Sequence, residues 1–568
     1  MKNLKDQFKL IIFVFLLLNT FNILAAKNTD KFFNERETRN YFSGILAINN
    51  NQYQKSYDYL KSLNDLEDNH YAYTQYYYFS LIALNKFKEA ANYSKKLDRK
   101  KIDNFESNLV SAVYYLERKD FDRALVYFEK LRNKSQPGSI KNLLSVSLNS
   151  WANFKNTKNL NSALSLLENI PREFENLTNI QKTFAYCYFD SDKTDEIFRK
   201  LTSNSDVNYS RYFFFHANYL ISKNREKKMK KILSYSLNLH PNNLILNQLK
   251  ADLKQGEIFT NQFDCKNIKH MVAEILYIVA NGLAAQRNYV TSNFYLNLAK
   301  YLNPNFISYK MLSAENFYIM NEFNDAKKIY KQTQKNGSVY SWHASKQITS
   351  ILIKQEKKKE AVIFLEKTFQ KIKNPTTYEI FDYAEFLKNN KKYKESIKYY
   401  SKVINVIDEK HDLYGQVLDG RGVAYERTDQ WNKAETDLLN SLNISPNDAY
   451  VINYLAYSWI EKGINIEKSL NMLKKANALR PNDGYIIDSL GWALFKLKNY
   501  KEAKKYLQLA VTFMATDPVI NDHYADSLWM NNNSLQARYY WNYVLKLKKT
   551  EKKLRKEIKR KLLFGHKT

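Results

Sequence analysis

The sequence predicts an all-α protein, a solenoid of antiparallel helix pairs stacked in series. Three observations predict it. Small residues recur at a period of about 34, with apolar and aromatic residues at i, i+3, i+4 between them. Turn formers are scarce: 12 Gly and 8 Pro among 568 residues disfavour sandwiches, barrels and dinucleotide-binding folds. The prolines also fall between the predicted helices, where their missing N–H and ring sterics are tolerated.

The period is clearest near the C-terminus. Residues 450–483 and 485–518 align, with Ala456 against Gly491, Ser469 against Ala503 and Ala476 against Ala510. The frame extends back through Gly422, Tyr425, Ala434, Leu438, Ser441 and Pro446, and forward through Ala525, Leu528, Ala537, Trp541 and Val544. Helices approach to ~8–10 Å only where small residues sit at the crossing, and larger ones then fill the grooves of the next pair. Units are read to begin near 37, 71, 105, 144, 210, 273, 307, 342, 377, 415, 449, 484 and 518. Pro241, Pro304, Pro446 and Pro481 take the terminal position of a unit; Pro137, Pro171, Pro375 and Pro518 are also read between helices. Most tyrosines, such as Tyr295, Tyr330, Tyr399 and Tyr506, occupy large-residue positions and are read as packing.

This pattern resembles the tetratricopeptide repeat (TPR) family over about 37–552, most weakly at 172–209 and 242–272. The resemblance implies a right-handed superhelix of about 13 recognisable units. The expected organisation is a signal peptide (1–26), an N-terminal TPR-like array (27–209), a degenerate repeat and connecting segment (210–272), a C-terminal TPR array (273–551) and a basic capping helix or tail (552–568). The segments "YVINYLAYSW", "YIIDSLGWALF", "DPVINDHYADSLWMNNNSLQARYYW" and "ILYIVANGLAAQRNYVTSNFYLNLAKYLNPN" resemble exported envelope TPR proteins of alphaproteobacteria and other Gram-negative bacteria. Some of those relatives are outer-membrane lipoproteins that act as adaptors for a protease; this sequence has no Cys to lipidate near the leader.

Residues 1–26 read as the leader. Lys2, Lys5 and Lys9 precede the apolar run Leu10–Leu18, and Ala25 and Ala26 supply small residues near the cleavage point. The expectation is export to the periplasm, with membrane association if the leader is retained. No other stretch is read as a membrane span.

The residues that catalysis needs are missing from their usual patterns. There is no His-Glu-x-x-His, no phosphate-cradling glycine loop and no Gly-x-Ser-x-Gly elbow. No enzyme, cofactor, metal or small-molecule substrate is expected. Asp522 and His523 are adjacent, so on a helix they point ~100° apart, and His523 is read as packed or surface. Cys187 and Cys265 stand 78 positions apart, in units that a simple solenoid keeps separate, and are read as two free buried thiols.

The TPR resemblance implies that positions two, five, nine and twelve of each unit line a concave face. Position five reads Asp419, Asn453, Asp488 and Asp522 in the last four full units, a polar ladder. Beside it lie Tyr450, Tyr457, Tyr485, Trp492, Phe495 and Trp529. Short carboxylates and amides can bond an extended peptide's backbone, and aromatics add contact area at low entropy cost. These ten residues form the expected groove for a protein or extended peptide. The carboxylate-clamp pattern of chaperone-tail TPRs is not met, since Asp419 and Val423 take the fifth and ninth positions.

The chain carries 88 Lys+Arg against 58 Asp+Glu, a formal charge of +30. Export removes nucleic acid from the expected partners, and the repeat spreads most of the charge over many helix faces. Only the tail 546–562 concentrates it, with Leu547, Leu554, Ile558 and Leu562 as an apolar stripe. The functional expectation is a non-catalytic periplasmic scaffold or adaptor that recruits an envelope protease or assembly factor. The alternative is a charge-driven binder of anionic membrane or envelope polymer through the tail.

Overall fold

In a computed structural model, residues 35–63, 66, 70–132, 139–157, 159–203, 207–256 and 262–566 are described. The expected leader and Pro137 lie outside the described residues. The described chain contains 30 helices, packed as about 15 pairs. First helices begin at Tyr71, Phe105, Ser210, Ile307, Thr377, Ala449, Gly484 and Pro518 and at intermediate points, close to the expected unit starts.

The connection inside each pair shows why the period holds. In most pairs the chain reverses through a residue with positive φ: Asn51, Asn85, Lys119, Asp190, Asn224, Arg287, Asn321, Glu356, Lys391, Asp429, Gly463 with Asn465, Lys498 and Asn532. Such a left-handed residue ends a helix by satisfying its last carbonyls. Asp190 marks a pair that the sequence reading passed over, Glu175–Tyr188 with Thr194–Thr202. Between pairs, Asp448, Asp483 and Asp517 cap the next helix by accepting from two backbone N–H groups each. Pro518 is not between helices: it is the first residue of Pro518–Met530, where no N–H is needed.

Two compact units divide the chain, one ending at Ala361 and one beginning at Val362. This division falls inside the segment 273–551 that the sequence reading treats as one array.

The N-terminal unit departs from a simple series of neighbours. Helix Tyr289–Leu302 packs on the first helices Tyr71–Ala83 and Phe105–Glu117, and Ile268–Ala285 packs on Ile140–Asn153. Phe79 meets Phe294 at 4.5 Å between ring centroids, Phe87 stacks on Tyr301 at 3.7 Å, and Lys269 pairs with Glu117 at 2.9 Å. One continuous core therefore runs from Ile48 to Leu312. Ile268–Ala285 is, by length and composition, apolar enough to cross a membrane, contrary to the sequence reading, yet 61 % of it is buried inside this unit. Arg211 and Glu274 form a buried ion pair there, joined by the Tyr212 hydroxyl, which donates to Glu274 at 3.1 Å. Burial pushes the Glu274 carboxyl up, and the facing guanidinium offsets part of that.

Cys187 and Cys265 form a disulfide, with Cα atoms 5.9 Å apart. The expectation of two free thiols is thus overturned. Its premise was separation along the array, and the fold-back of 268–302 brings the segment before Ile268 against helix Glu175–Tyr188.

Candidate functional site

The candidate site lies in the C-terminal unit, on the first helices Thr377–Asn389, Tyr414–Glu426, Ala449–Lys462, Gly484–Lys496 and Pro518–Met530. Close crossing with their second helices fixes these elements. A Cβ on Gly491 would sit 2.7 Å from Leu507 Cγ, and one on Gly422 would sit 2.9 Å from Leu438 Cγ. Ala456 and Ala525 are fully buried at the equivalent places.

The ten expected groove residues separate into two sets. Asp488, Asp522, Trp492 and Phe495 are buried, at 5, 6, 7 and 6 % exposure, so they do not present an open groove. Both Asp488 oxygens lie 3.0 Å from His523 Nδ1 of the next repeat, and His523 stacks on Trp492 at 3.9 Å. Burial opposes charge on that imidazole, but Asp488 with Asp522 and Asp526 together outweigh it and the His523 pKa is raised. Trp492 Nε1 donates to Glu461 at 2.7 Å, and its ring stacks on Phe495 at 4.7 Å. Asp522 accepts from Lys561 Nζ at 2.8 Å and from Trp541 Nε1 at 3.1 Å. Burial and the neighbouring Asp526 raise its carboxyl to about 6. Trp529 is half-buried and lies 5.5 Å from the Trp541 ring.

The second set stays accessible. Tyr450 and Tyr485 are each 52 % exposed. Tyr450 donates to Asp483 at 3.1 Å and lies under the Arg480 guanidinium. Asp419, Asn453 and Tyr457 are half-buried. Among the described residues, no hydrogen bond holds the Asp419 carboxyl, and Asn453 Oδ1 is a buried acceptor without a donor. Burial lifts the Asp419 carboxyl to about 6, Lys388 opposing and Glu385 adding to the shift. Burial also raises the Tyr457 hydroxyl.

The difference between the sets follows from the repeat. In the Asp488–His523 pair, position five of one unit meets position six of the next. His523 holds that place opposite Asp488 and closes it with an ion pair. The equivalent residues are Tyr454 opposite Asp419 and Ser489 opposite Asn453, and they bond elsewhere: Tyr454 to Glu426 at 2.8 Å, Ser489 to the Tyr485 carbonyl at 3.0 Å. The open part of the face therefore centres on Asp419, Asn453, Tyr450, Tyr457 and Tyr485. Sequence reasoning missed Lys561 and His523 as the partners that close the last rungs, although the 35-residue step from Asp488 to His523 carries that signal.

The tail also differs from a solvated appendage. Helix Lys552–Phe564 starts 34 residues after Pro518, in the place of another first helix, and packs on Ser534–Lys546. Ile558 is fully buried and Lys561 is 2 % exposed, bridging Asp522 and Asp526. Leu554 and Leu562 pack against the same core, so the apolar stripe faces inward. Among the described residues, no group of three or more His, Cys, Asp or Glu is placed to hold a metal ion.

Residues 320–557 match the family model for the tetratricopeptide repeat. A TPR repeat-containing protein of Pseudomonas aeruginosa is 26 % identical over 95 residues, which is 17 % of this chain and 16 % of that protein. Among solved structures, MamA of strain AMB-1 is 17 % identical, covering 30 % of this chain and 99 % of that one, with a TM-score of 0.26. A thermophilic TPR protein of Thermus thermophilus is 14 % identical, covering 33 % and 100 %, with a TM-score of 0.30. The APC/C hetero-tetramer Cut9–Hcn1 is 14 % identical, covering 93 % and 97 %, with a TM-score of 0.37. The fold assignment rests on the family model and on the helix pairs themselves.

Proposed function

The chain is a tetratricopeptide-repeat protein, and from that premise we propose that it is a non-catalytic periplasmic scaffold or adaptor holding an extended segment of a partner protein in its C-terminal unit. Proteins built of this repeat are in general protein-binding scaffolds. The observation that carries the site is the set of unengaged groups on one face, Asp419 and the Asn453 acceptor beside the exposed rings of Tyr450 and Tyr485. A backbone N–H from an extended segment satisfies both acceptors, and the tyrosines cover its side chains. In the N-terminal unit the first helices Tyr71–Ala83, Phe105–Glu117 and Ile140–Asn153 are already packed against 268–302.

Export is supported by the leader-like residues 1–26 and by the Cys187–Cys265 disulfide, which persists in oxidising compartments. The partner class is an envelope protease or an envelope-assembly factor. Capture from envelope extract tests the site. Partners should stay bound above ~0.3 M salt, where exposed charges are screened. The triple variant Asp419→Asn, Tyr450→Ala, Tyr485→Ala should lose them while keeping its helicity and melting point. Unaltered capture by that variant would sink the assignment of the groove.

A further inference from the structure

Four of the five most exposed large hydrophobic residues in the described chain lie within its last 34 positions: Leu535 at 84 %, Leu563 at 73 %, Phe564 at 70 % and Tyr539 at 68 %. Leu535, Arg538 and Tyr539 share one helix face at i, i+3 and i+4. Arg538 Nε donates to the Leu562 carbonyl at 3.3 Å, which brings that face to the end of the helix pair where Leu563 and Phe564 project.

The rest of the last helix explains which surface suits this end. Ile558 and Lys561 point inward, and the Lys561 ammonium is locked between Asp522 and Asp526. At 100° per residue the opposite side carries Lys553, Lys556, Lys559 and Arg560 in line with Leu563 and Phe564. Lys553, Lys556 and Lys559 are exposed. Solvation alone accounts for the lysines, but not for four large apolar side chains left in water at the same end. A row of cations leading to a leucine–phenylalanine tip matches the chemistry of an anionic bilayer: headgroup phosphates for the row, the acyl boundary for the tip.

We propose that the C-terminal helix pair, 534–564, is a peripheral docking surface for a bilayer containing anionic phospholipid. The apolar tip enters the interface and the basic row lies on the headgroups. The groove residues Asp419, Tyr450 and Tyr485 belong to other helices, so membrane docking and partner binding are separable.

The test reads the surface locally, so that a retained leader does not dominate it. Because Cys187 and Cys265 are joined to each other, Leu535→Cys provides a single labelling site for an environment-sensitive fluorophore. With phosphatidylcholine/phosphatidylglycerol vesicles the emission should shift to the blue and brighten. It should stay unchanged with pure phosphatidylcholine vesicles, and also for the same dye on Lys433→Cys, an exposed position on another helix. Leu563→Ser with Phe564→Ser should weaken vesicle affinity about tenfold or more. Lys553→Gln and Lys556→Gln should each weaken it about fivefold. All variants should melt with the parent. The proposal is overturned by no spectral shift at position 535 with anionic vesicles. An equal shift at 433 overturns it too. So does affinity indifferent to the Ser pair, which marks mere polyanion attraction, or dye burial that tracks protein concentration without lipid, which marks a second copy as the occupant.

Discussion

Removing the Cys187–Cys265 cross-link should destabilise the N-terminal unit and leave the C-terminal unit intact. The bond closes a loop of 78 positions. The chain-entropy relation for such a loop gives ~4.5 kcal/mol at 25 °C, and removal of native disulfides generally costs about 2–5 kcal/mol. The lower half of that range is the safer expectation, because a helical denatured chain is already restricted. The perturbation is Cys187→Ser with Cys265→Ser. Two probes separate the units. Five of the seven tryptophans, Trp431, Trp459, Trp492, Trp529 and Trp541, belong to the C-terminal unit, and their fluorescence should unfold at the parental denaturant concentration. Circular dichroism sees both units and should show an earlier first transition. Hydrogen exchange should quicken in 175–188 and in 268–302, which the bond holds together. Identical melting of oxidised parent and double variant would refute the reasoning. Two alkylatable thiols in the unreduced, denatured protein would refute it more directly.

Three further outcomes follow from the C-terminal unit. His523 has its pKa raised above the ordinary 6.5, so its protonated form contributes stability that is full below that value and is lost as pH rises through the folded value. Fluorescence-detected unfolding should show the C-terminal unit weakening as pH rises above the ordinary imidazole value and through the raised folded one, and Asp488→Asn should flatten that dependence. Lys561→Met should cost about 3–5 kcal/mol in the same assay, because Asp522 and Asp526 are left buried without their cation; an unchanged midpoint would show that the pair does not hold the last helix. Gly491→Ala should lower the melting temperature, since a Cβ 2.7 Å from Leu507 Cγ costs about 1–3 kcal/mol, against the ~1 kcal/mol that alanine gains in a helix. A stabilised variant would show that the crossing is looser than the structure places it.

Much of the fold was legible because the repeat encodes it locally. Small residues at 456, 491 and 525 fix the crossings, and Asp448, Asp483 and Asp517 mark the helix starts. Each property is set within about ten residues of sequence. The pair at 175–202 escaped because its second helix, Thr194–Thr202, is only nine residues long and offers no Gly, Ala or Ser at the crossing to mark the period. The fold-back of 268–302 was not legible for a different reason. Phe294 and Tyr301 look like ordinary repeat aromatics, and nothing local says that they meet Phe79 and Phe87 instead of only the next pair. The disulfide was misread as a consequence. In the site, residue type picked out the ladder positions, yet type alone does not reveal engagement. That depends on the residue one repeat away, and His523 opposite Asp488 differs from Tyr454 opposite Asp419 in this respect alone.

The same logic explains why the proposed binding face lies where it does. A first-helix face can remain available only if nothing in the chain covers it and the next repeat does not neutralise its polar groups. The repeats that begin with Tyr71–Ala83, Phe105–Glu117 and Ile140–Asn153 fail the first condition, since 268–302 packs on those helices. The last two full repeats fail the second, since His523 takes Asp488 and Lys561 takes Asp522. Those ion pairs tie the last helices of the array to one another. Between these regions, burial raises the Asp419 carboxyl to about 6 against the pull of Lys388, and Asn453 keeps a buried acceptor empty. Unsatisfied groups of this kind are costly in a structural role and become favourable once a ligand bonds them. The chain's large positive charge does not contradict a groove built on acceptors. Lys388 beside Asp419 and Arg480 over Tyr450 border that face, while the Asn453 acceptor has no donor of its own.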